Sequence, residues 1–154
     1  MVRVDKSRQR MTISVDGEML HDWAVSTGRS GYGTPNGNYQ PKLLARRWFS
    51  RQYYNSPMPH SIFFHKGFAI HGSHEIRRLG GPASHGCVRL HPQNAEALYA
   101  LVREHGKENT EIVVTGDAPA TRAYAEGRRH RHYASARHYG WPRYRYRPNL
   151  FALW

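Results

Sequence analysis

Alternating apolar and polar residues along the chain predict short β-strands joined by tight turns. The segments QRMTISV (9–15) and EMLHDWAV (18–25) flank Asp16-Gly17, a dipeptide that favours the left-handed backbone of a two-residue hairpin turn. The segments SIFFH (61–65) and FAIHG (68–72) are also separated by a two-residue pair, Lys-Gly. Both pairs of segments are therefore predicted to form antiparallel hairpins.

A longer apolar period predicts one helix at about 92–105. Pro92 suits the first turn of this helix, and Gly106 can end it. Its apolar face would consist of Ala95, Leu98, Leu101 and Val102. The segment STGRSGYGTPNGNYQP (26–41) is rich in Gly, Pro and Asn and predicts a long surface loop, whereas TEIVVTG (110–116) predicts a closing strand. The chain is thus expected to be mainly β with one helix.

The net charge of the chain favours anionic binding partners. The chain has 154 residues and a formal net charge of +12, which suits one domain whose surface attracts nucleic acid, anionic lipid or an acidic polymer such as a cell wall. A single cysteine excludes an internal disulfide and a multi-cysteine metal site. No apolar run approaches the roughly 18 residues of a membrane span, and the residues after Met1 are unlike a secretory signal. The protein is expected to be either cytosolic or exported by a signal that this sequence lacks.

The composition changes near Asp117. Up to Gly116 the chain has 15 Lys and Arg against 9 Asp and Glu, whereas the remainder has eight arginines, five tyrosines and no lysine. We therefore predict a domain at 1–116 and a basic, Arg/Tyr-rich C-terminal tail at 117–154. That tail is either a solvated extension without chemistry or a contact arm whose arginines bind anionic groups while its tyrosines stack on a partner.

The only cysteine, Cys87, lies in the segment GGPASHGCVRLHP. A free cysteine is ordinarily a small buried hydrophobe, but the surrounding glycines, proline and histidine favour an exposed turn. Such a turn can direct backbone N–H groups toward an oxyanion, and a histidine could take the thiol proton and return a proton to a leaving amine. His71 is the better base, because it comes from another strand, whereas the adjacent His85 would point away from Cys87.

Four motifs in order resemble the L,D-transpeptidase catalytic domain family, also called the YkuD-like domain. IHG (70–72) followed by ASHGCVRLHPQNAEALYALV (83–102) is similar to its catalytic signature, VSTGRSGYGTPNGNYQP (25–41) to its StG…TPtG segment, and TEIVVTG to its closing strand. The match spans about residues 10–116. The resemblance implies a β-sandwich or barrel-like domain with one or two short helices, followed here by the basic extension.

The resemblance also implies roles for individual residues. Cys87 matches the family nucleophile and His71 the general acid and base, while the carbonyl of Gly72 would accept the imidazole N–H and fix the tautomer. Arg89 stands where family members carry Arg or Asn, and its guanidinium suits a substrate carboxylate.

The Ser-His-Gly run before the cysteine would shape the catalytic loop. The backbone amides of His85, Gly86 and Cys87 would form the oxyanion hole, and Ser84 and the His85 side chain would hold the loop in place.

The implied reaction is the transfer of a peptidoglycan stem peptide. Cys87 attacks the amide between a diamino-acid residue and the terminal D-alanine of a tetrapeptide stem, and a thioester remains. The side-chain amine of diaminopimelate in a second stem then gives a 3→3 crosslink. The resemblance implies no metal or organic cofactor, stem peptides as partners, no nucleic acid, and a location in the periplasm or cell envelope.

Two alternatives remain open at this point: the same thioester chemistry with another acceptor, or a domain without catalysis. Water could replace the stem amine as acceptor, which would make a carboxypeptidase or amidase, and the N-terminus of an envelope protein could replace it in an anchoring enzyme. A non-catalytic wall-binding domain would instead keep Cys87 as a structural thiol.

Overall fold

The computed structural model describes residues 1–120. These residues form eleven β-strands, a 3₁₀ turn at Ile76–Arg78 and one α-helix, α1, at Pro92–His105. The strands are β1 (Val2–Asp5), β2 (Arg10–Val15), β3 (Glu18–Ala24), β4 (Gly37–Tyr39), β5 (Leu43–Ala45), β6 (Phe49–Ser50), β7 (Ser56–Pro57), β8 (Ser61–His65), β9 (Phe68–Gly72), β10 (Val88–Leu90) and β11 (Ile112–Thr115). The predicted tail at 117–154 lies, apart from its first four residues, outside the described residues.

Both predicted hairpins are present. Strands β2 and β3 pair antiparallel across Asp16 and Gly17, whose φ angles are 50° and 84°. Strands β8 and β9 pair in the same way across Lys66 and Gly67, with φ angles of 39° and 86°. The positive φ values at both central positions are those that a two-residue hairpin turn requires.

A five-stranded sheet has the order β3-β2-β1-β11-β4. The predicted closing strand β11 lies inside this sheet, parallel to β1 and antiparallel to β4. The prediction of a loop throughout 26–41 is wrong at Gly37–Tyr39, which forms β4. These three residues are ordered by pairing with β11 and by the packing of Tyr39 on Phe64, with ring centroids 5.1 Å apart.

A four-stranded sheet has the order β10-β9-β8-β5, and the short strands β6 and β7 form a separate hairpin. Strands β9 and β10 run parallel to each other. The predicted helix is confirmed as α1, which packs on β8 and β9. It begins at Pro92 after His91, whose Nδ1 accepts a hydrogen bond from the Gln93 N–H, and it ends before Gly106 at φ 89°.

One hydrophobic core joins the two larger sheets and the helix. The five-stranded sheet contributes alternate residues of β1, β2 and β11. The four-stranded sheet contributes alternate residues of β8 and β10 and Ile70 of β9, and α1 contributes Ala95, Leu98 and Val102. The alternation that predicted the strands thus corresponds to one buried face on each sheet. The predicted mainly β, sandwich-like class with one α-helix is confirmed. None of the helices in residues 1–120 is long and apolar enough to span a membrane.

Candidate active site

The parallel strands β9 and β10 bring His71 and Cys87 together. In their register Val88 pairs with Ile70 and Arg89 with His71, and Cys87 directly precedes β10. Side chains alternate between the faces of a sheet, and Ile70 and Val88 are in the core. Cys87, His71 and Arg89 therefore share the opposite face, where all three line one cavity of about 470 Å³.

His71 has one fixed ring N–H. The residue is 6% exposed, and its Nδ1 lies 2.7 Å from the carbonyl oxygen of Gly72. Because that oxygen can only accept, Nδ1 carries the proton, and Nε2 of the neutral ring keeps its lone pair. The pKa of His71 is lowered to about 4, mainly by burial. The hydrogen bond to Gly72 raises this pKa, and the positive charge of Arg89 lowers it further.

The thiol of Cys87 is half-buried. Burial raises the pKa of Cys87, while a backbone hydrogen bond from Ala69 and the charge of Arg89 act in the opposite direction. The raised pKa of the thiol and the lowered pKa of the imidazole both favour a neutral resting pair over a thiolate and imidazolium. His71 is therefore suited to accept the thiol proton during attack, as a general base.

Ser84 holds the turn that precedes Cys87. Its Oγ donates to the Cys87 carbonyl at 2.6 Å and accepts from the Gly86 N–H at 3.0 Å. Its backbone N–H donates to the Thr27 carbonyl, and its carbonyl accepts from the Arg29 N–H. The segment is a turn, but the prediction that it is exposed is wrong for four of its residues, which are buried: Pro82, Ala83, Ser84 and Gly86.

The predicted oxyanion hole needs one correction. The Gly86 N–H already donates to Ser84 Oγ, so it holds the loop and is not a free donor. Within residues 1–120 the N–H groups of His85 and Cys87 make no hydrogen bond, and these two remain as candidate oxyanion donors. Position 86 requires glycine, because its φ is 121° and a Cβ atom there would clash with the Phe68 ring.

The His85 side chain lies among residues that the sequence did not single out. Its Nε2 is 2.9 Å from Arg29 Nη2, its ring stacks on Tyr53 at 4.4 Å, and the edge of Tyr32 approaches at 4.8 Å. Burial and then the charges of Arg29 and Arg89 lower the pKa of His85, which suits a neutral ring that accepts from Arg29. The contacts of His85 with Arg29 and Tyr53 join the candidate catalytic turn, residues 84–87, to two other segments.

Arg89 is already paired in the structure. Its Nη1 donates to Glu75 Oε2, and both side chains line the cavity that contains Cys87 and His71. A substrate carboxylate at Arg89, as the sequence predicted, would therefore have to share the guanidinium with Glu75. Glu75 was not singled out from the sequence, because nothing in the spacing of 14 residues indicates the contact.

A buried polar network supports the catalytic turn from the five-stranded sheet. Thr34 is 1% exposed; its Oγ1 accepts from the Gly28 N–H at 3.0 Å and donates to the Gly86 carbonyl at 2.7 Å. Lys6 Nζ donates to the Thr34 carbonyl at 2.8 Å, and Gln9 Nε2 donates to Thr27 Oγ1 at 2.7 Å. These contacts fix residues 27–34 against the Ser-His-Gly-Cys turn.

Aromatic side chains line part of the same cavity and are called its aromatic wall below. Trp48, Phe49 and Tyr53 come from the β6–β7 hairpin and Phe63 from β8. Trp48 meets Phe63 edge-on at 5.1 Å. Within residues 1–120 no group of three or more His, Cys, Asp or Glu side chains could hold a metal ion.

The fold matches that of known L,D-transpeptidases. The family model of the L,D-transpeptidase catalytic domain matches residues 1–117. The chain therefore belongs to the L,D-transpeptidase catalytic domain family, as its motifs predicted. No curated protein matches the sequence.

Solved structures agree with this fold. The L,D-transpeptidase from Stackebrandtia nassauensis is 27% identical at a TM-score of 0.67, with 78% of this chain and 57% of that chain covered. The L,D-transpeptidase from Mycobacterium smegmatis is 22% identical at a TM-score of 0.67, with 75% and 58% covered. The LD transpeptidase LdtMt1 in complex with imipenem is 22% identical at a TM-score of 0.64, with 74% and 57% covered. This chain thus spans less than two thirds of the length of each of these proteins.

Proposed function

We propose that this protein is a Cys87-dependent L,D-transpeptidase that joins peptidoglycan stem peptides. One observation carries the proposal. The Cys87 thiol and the neutral imidazole of His71, whose tautomer is fixed, lie on one face of one sheet and line one cavity. Family membership supports the acyl-transfer class. The proposed place of action is the cell envelope, where peptidoglycan lies.

The first half-reaction loads the enzyme. As the Cys87 Sγ attacks the carbonyl of the third stem residue, the thiol proton passes to Nε2 of His71. The N–H groups of His85 and Cys87 hydrogen-bond the oxyanion. The imidazolium then protonates the D-alanine nitrogen as the C–N bond breaks, which leaves a thioester and free D-alanine. The lowered pKa of His71 makes the imidazolium a strong acid for this protonation.

The second half-reaction releases the product. The neutral side-chain amine of a second stem attacks the thioester, its proton passes to Nε2 of His71, and the C–S bond breaks. The departing sulfur takes the proton from His71, so that the thiol and neutral imidazole are restored and a 3→3 crosslink is formed. Exclusion of water by the aromatic wall of the cavity would favour the amine over hydrolysis.

Incubation with purified disaccharide-tetrapeptide, followed by mass spectrometry, tests this function. We expect D-alanine release and a stem dimer from the wild type, and neither product from Cys87→Ala. D-alanine release without a dimer would assign the thioester to water or to a protein amine. A wild type that releases no D-alanine would contradict the proposed function and favour a wall-binding domain.

A further inference from the structure

The Glu75–Arg89 pair places opposite charges side by side on the wall of the active-site cavity. Arg89 lies on the same sheet face as Cys87 and is the register partner of His71. Glu75 comes from the segment between β9 and the 3₁₀ turn, and its Oε2 accepts from Arg89 Nη1. A substrate at Cys87 therefore meets one guanidinium and one carboxylate together.

Each member of the pair keeps bonding capacity for a ligand. Only Nη1 of Arg89 donates to a described residue, so the remaining guanidinium N–H groups can bind a carboxylate. Glu75 engages Arg89 through Oε2, and the same oxygen lies 4.0 Å from Arg78 Nε, which leaves Oε1 to accept from an ammonium. The Glu75 side chain is 52% exposed, so it is accessible from the cavity.

The pair disfavours ligands that carry a single charge. The Glu75 carboxylate beside Arg89 repels the free carboxylate that the sequence assigned to this arginine. A ligand with only a carboxylate would meet Glu75 as a like charge, and a ligand with only an ammonium would meet Arg89 as a like charge. A ligand that carries both groups satisfies both side chains and leaves the pair intact.

We propose that Glu75 and Arg89 together recognise a zwitterionic amino-acid group, with the ammonium on Glu75 and the carboxylate on Arg89. This inference rests on the proposed function. In a tetrapeptide stem the group is the side-chain end of diaminopimelate, which belongs to the residue whose carbonyl Cys87 attacks. A free amino acid carries the same two groups, and after binding its ammonium would have to lose a proton to solvent before the nitrogen could attack the thioester. Glu75 is then a specificity-determining residue.

Three synthetic tetrapeptide stems that differ only at the third residue test the proposal. Diaminopimelate carries both groups at its side-chain end, lysine carries only the ammonium, and 2-aminopimelate carries only the carboxylate. We expect the wild type to form its thioester about tenfold faster with the diaminopimelate stem than with either of the others, the effect of one lost charged hydrogen bond. The readout is the intact protein mass over time, without an added acceptor.

Glu75→Gln separates recognition from a structural role. This variant should lose the preference for diaminopimelate over 2-aminopimelate, which differ only in the ammonium, and keep the preference over lysine. Arg78→Gln is the matched control, because Arg78 is near the same carboxylate but outside the cavity lining; it should keep both preferences.

A second arm identifies the source of the zwitterion. Preformed thioester is mixed with D-alanine or with D-alaninamide, which lacks the carboxylate. A preference confined to acylation assigns the pair to the donor stem, and a preference confined to this second step assigns it to a free amino acid. Equal rates in both steps, or a full preference retained by Glu75→Gln, would overturn the proposal.

Failure of the proposed function would give a different result from failure of the zwitterion recognition. If the wild type forms no thioester with any stem, the function fails, and the recognition is then read from the dissociation constants of the three stems, measured by calorimetry. A diaminopimelate stem that binds about tenfold more tightly than the other two would still support the pair, and equal dissociation constants would refute it.

Discussion

His71 combines burial with a single committed hydrogen bond. Its Nδ1 proton is held by the Gly72 carbonyl, so the reactive proton exchanges at Nε2 alone. Burial lowers its pKa to about 4, and a protonated His71 is therefore disfavoured in the folded protein. The same burial that prepares the base thus gives the fold a sensitivity to acid.

The stability of the protein should fall as the pH drops from 6.5 to 4. In this range the unfolded chain, with an ordinary histidine, binds a proton that the folded His71 does not, so the free energy of unfolding rises with pH. From a folded pKa of about 4, this residue should cost about 2 kcal/mol between pH 7 and pH 4.5. Urea unfolding of wild type and His71→Gln at both pH values measures the difference.

The change in the free energy of unfolding between the two pH values, compared among the variants, tests this prediction. Cys87→Ala retains His71 and should keep the pH dependence of the wild type. A His71→Gln variant that loses as much stability as the wild type between the two pH values would show that His71 does not have the lowered pKa.

Gly86 tests the geometry of the turn. With φ at 121° and the Phe68 ring next to the position of a Cβ atom, Gly86→Ala should lower the free energy of unfolding by about 1–3 kcal/mol and slow acylation of Cys87. Thermal unfolding and intact mass measure the two effects. Gly81→Ala is the matched control, since nothing lies within 4 Å of its Cβ position; equal stability of the two variants would contradict this role of Gly86.

At the scale of elements, the site is assembled from a parallel strand pair and a loop that is held from the other sheet. Strands β9 and β10 supply His71 and position Cys87. Thr34, from the segment before β4, bonds Gly28 and Gly86 together. The catalytic turn thus depends on the four-stranded sheet and on the segment before β4.

Thr34→Val should weaken this connection without changing the volume of the side chain. The substitution leaves the buried Gly28 N–H and Gly86 carbonyl without their partner, at a cost of about 1–3 kcal/mol for a buried unpaired group. We expect lower stability in urea and slower thioester formation. Thr115→Val, at an exposed position on β11, is the control and should change neither. Acylation at the wild-type rate in Thr34→Val would show that the network does not position the turn.

Local elements could be predicted from the sequence because their signals are local. Asp16-Gly17 marks the β2–β3 turn, and Pro92 and Gly106 bound α1 within the chain itself. Strand β4 was missed because Gly37, Asn38 and Tyr39 have no alternation, and they become a strand only through β11.

Long-range contacts within the site could not be predicted from local sequence patterns. The motifs predicted Cys87 and His71 as catalytic residues through a family resemblance, whereas the pairing of Arg89 with Glu75 depends on how the segment after β9 folds back. The engagement of the Gly86 N–H by Ser84 depends on the exact form of the turn, which residue types alone do not specify.

At the scale of the whole molecule, charge is the dominant feature. The formal net charge is +12, and stem peptides carry several carboxylates. Long-range attraction should therefore raise the local concentration of an anionic wall polymer around the protein.

Binding to purified sacculi should weaken as salt rises. Because exposed charges are screened over about 10 Å at 0.1 M salt and about 3 Å at 1 M, we expect at least about a tenfold loss of affinity between these concentrations. A pull-down of the full chain with sacculi at several salt concentrations measures this. Binding that stays constant over the series would show that charge does not attract the wall.

Acylation of Cys87 by a stem peptide is the step on which the whole proposed function depends. The most direct test is to mix the full chain with a tetrapeptide stem, record the intact mass, and map the modified peptide. We expect a mass increase equal to the stem minus D-alanine, located on Cys87, absent in Cys87→Ala and strongly slowed in His71→Gln. A folded wild-type protein that stays unmodified, or that carries the adduct on another residue, would contradict it.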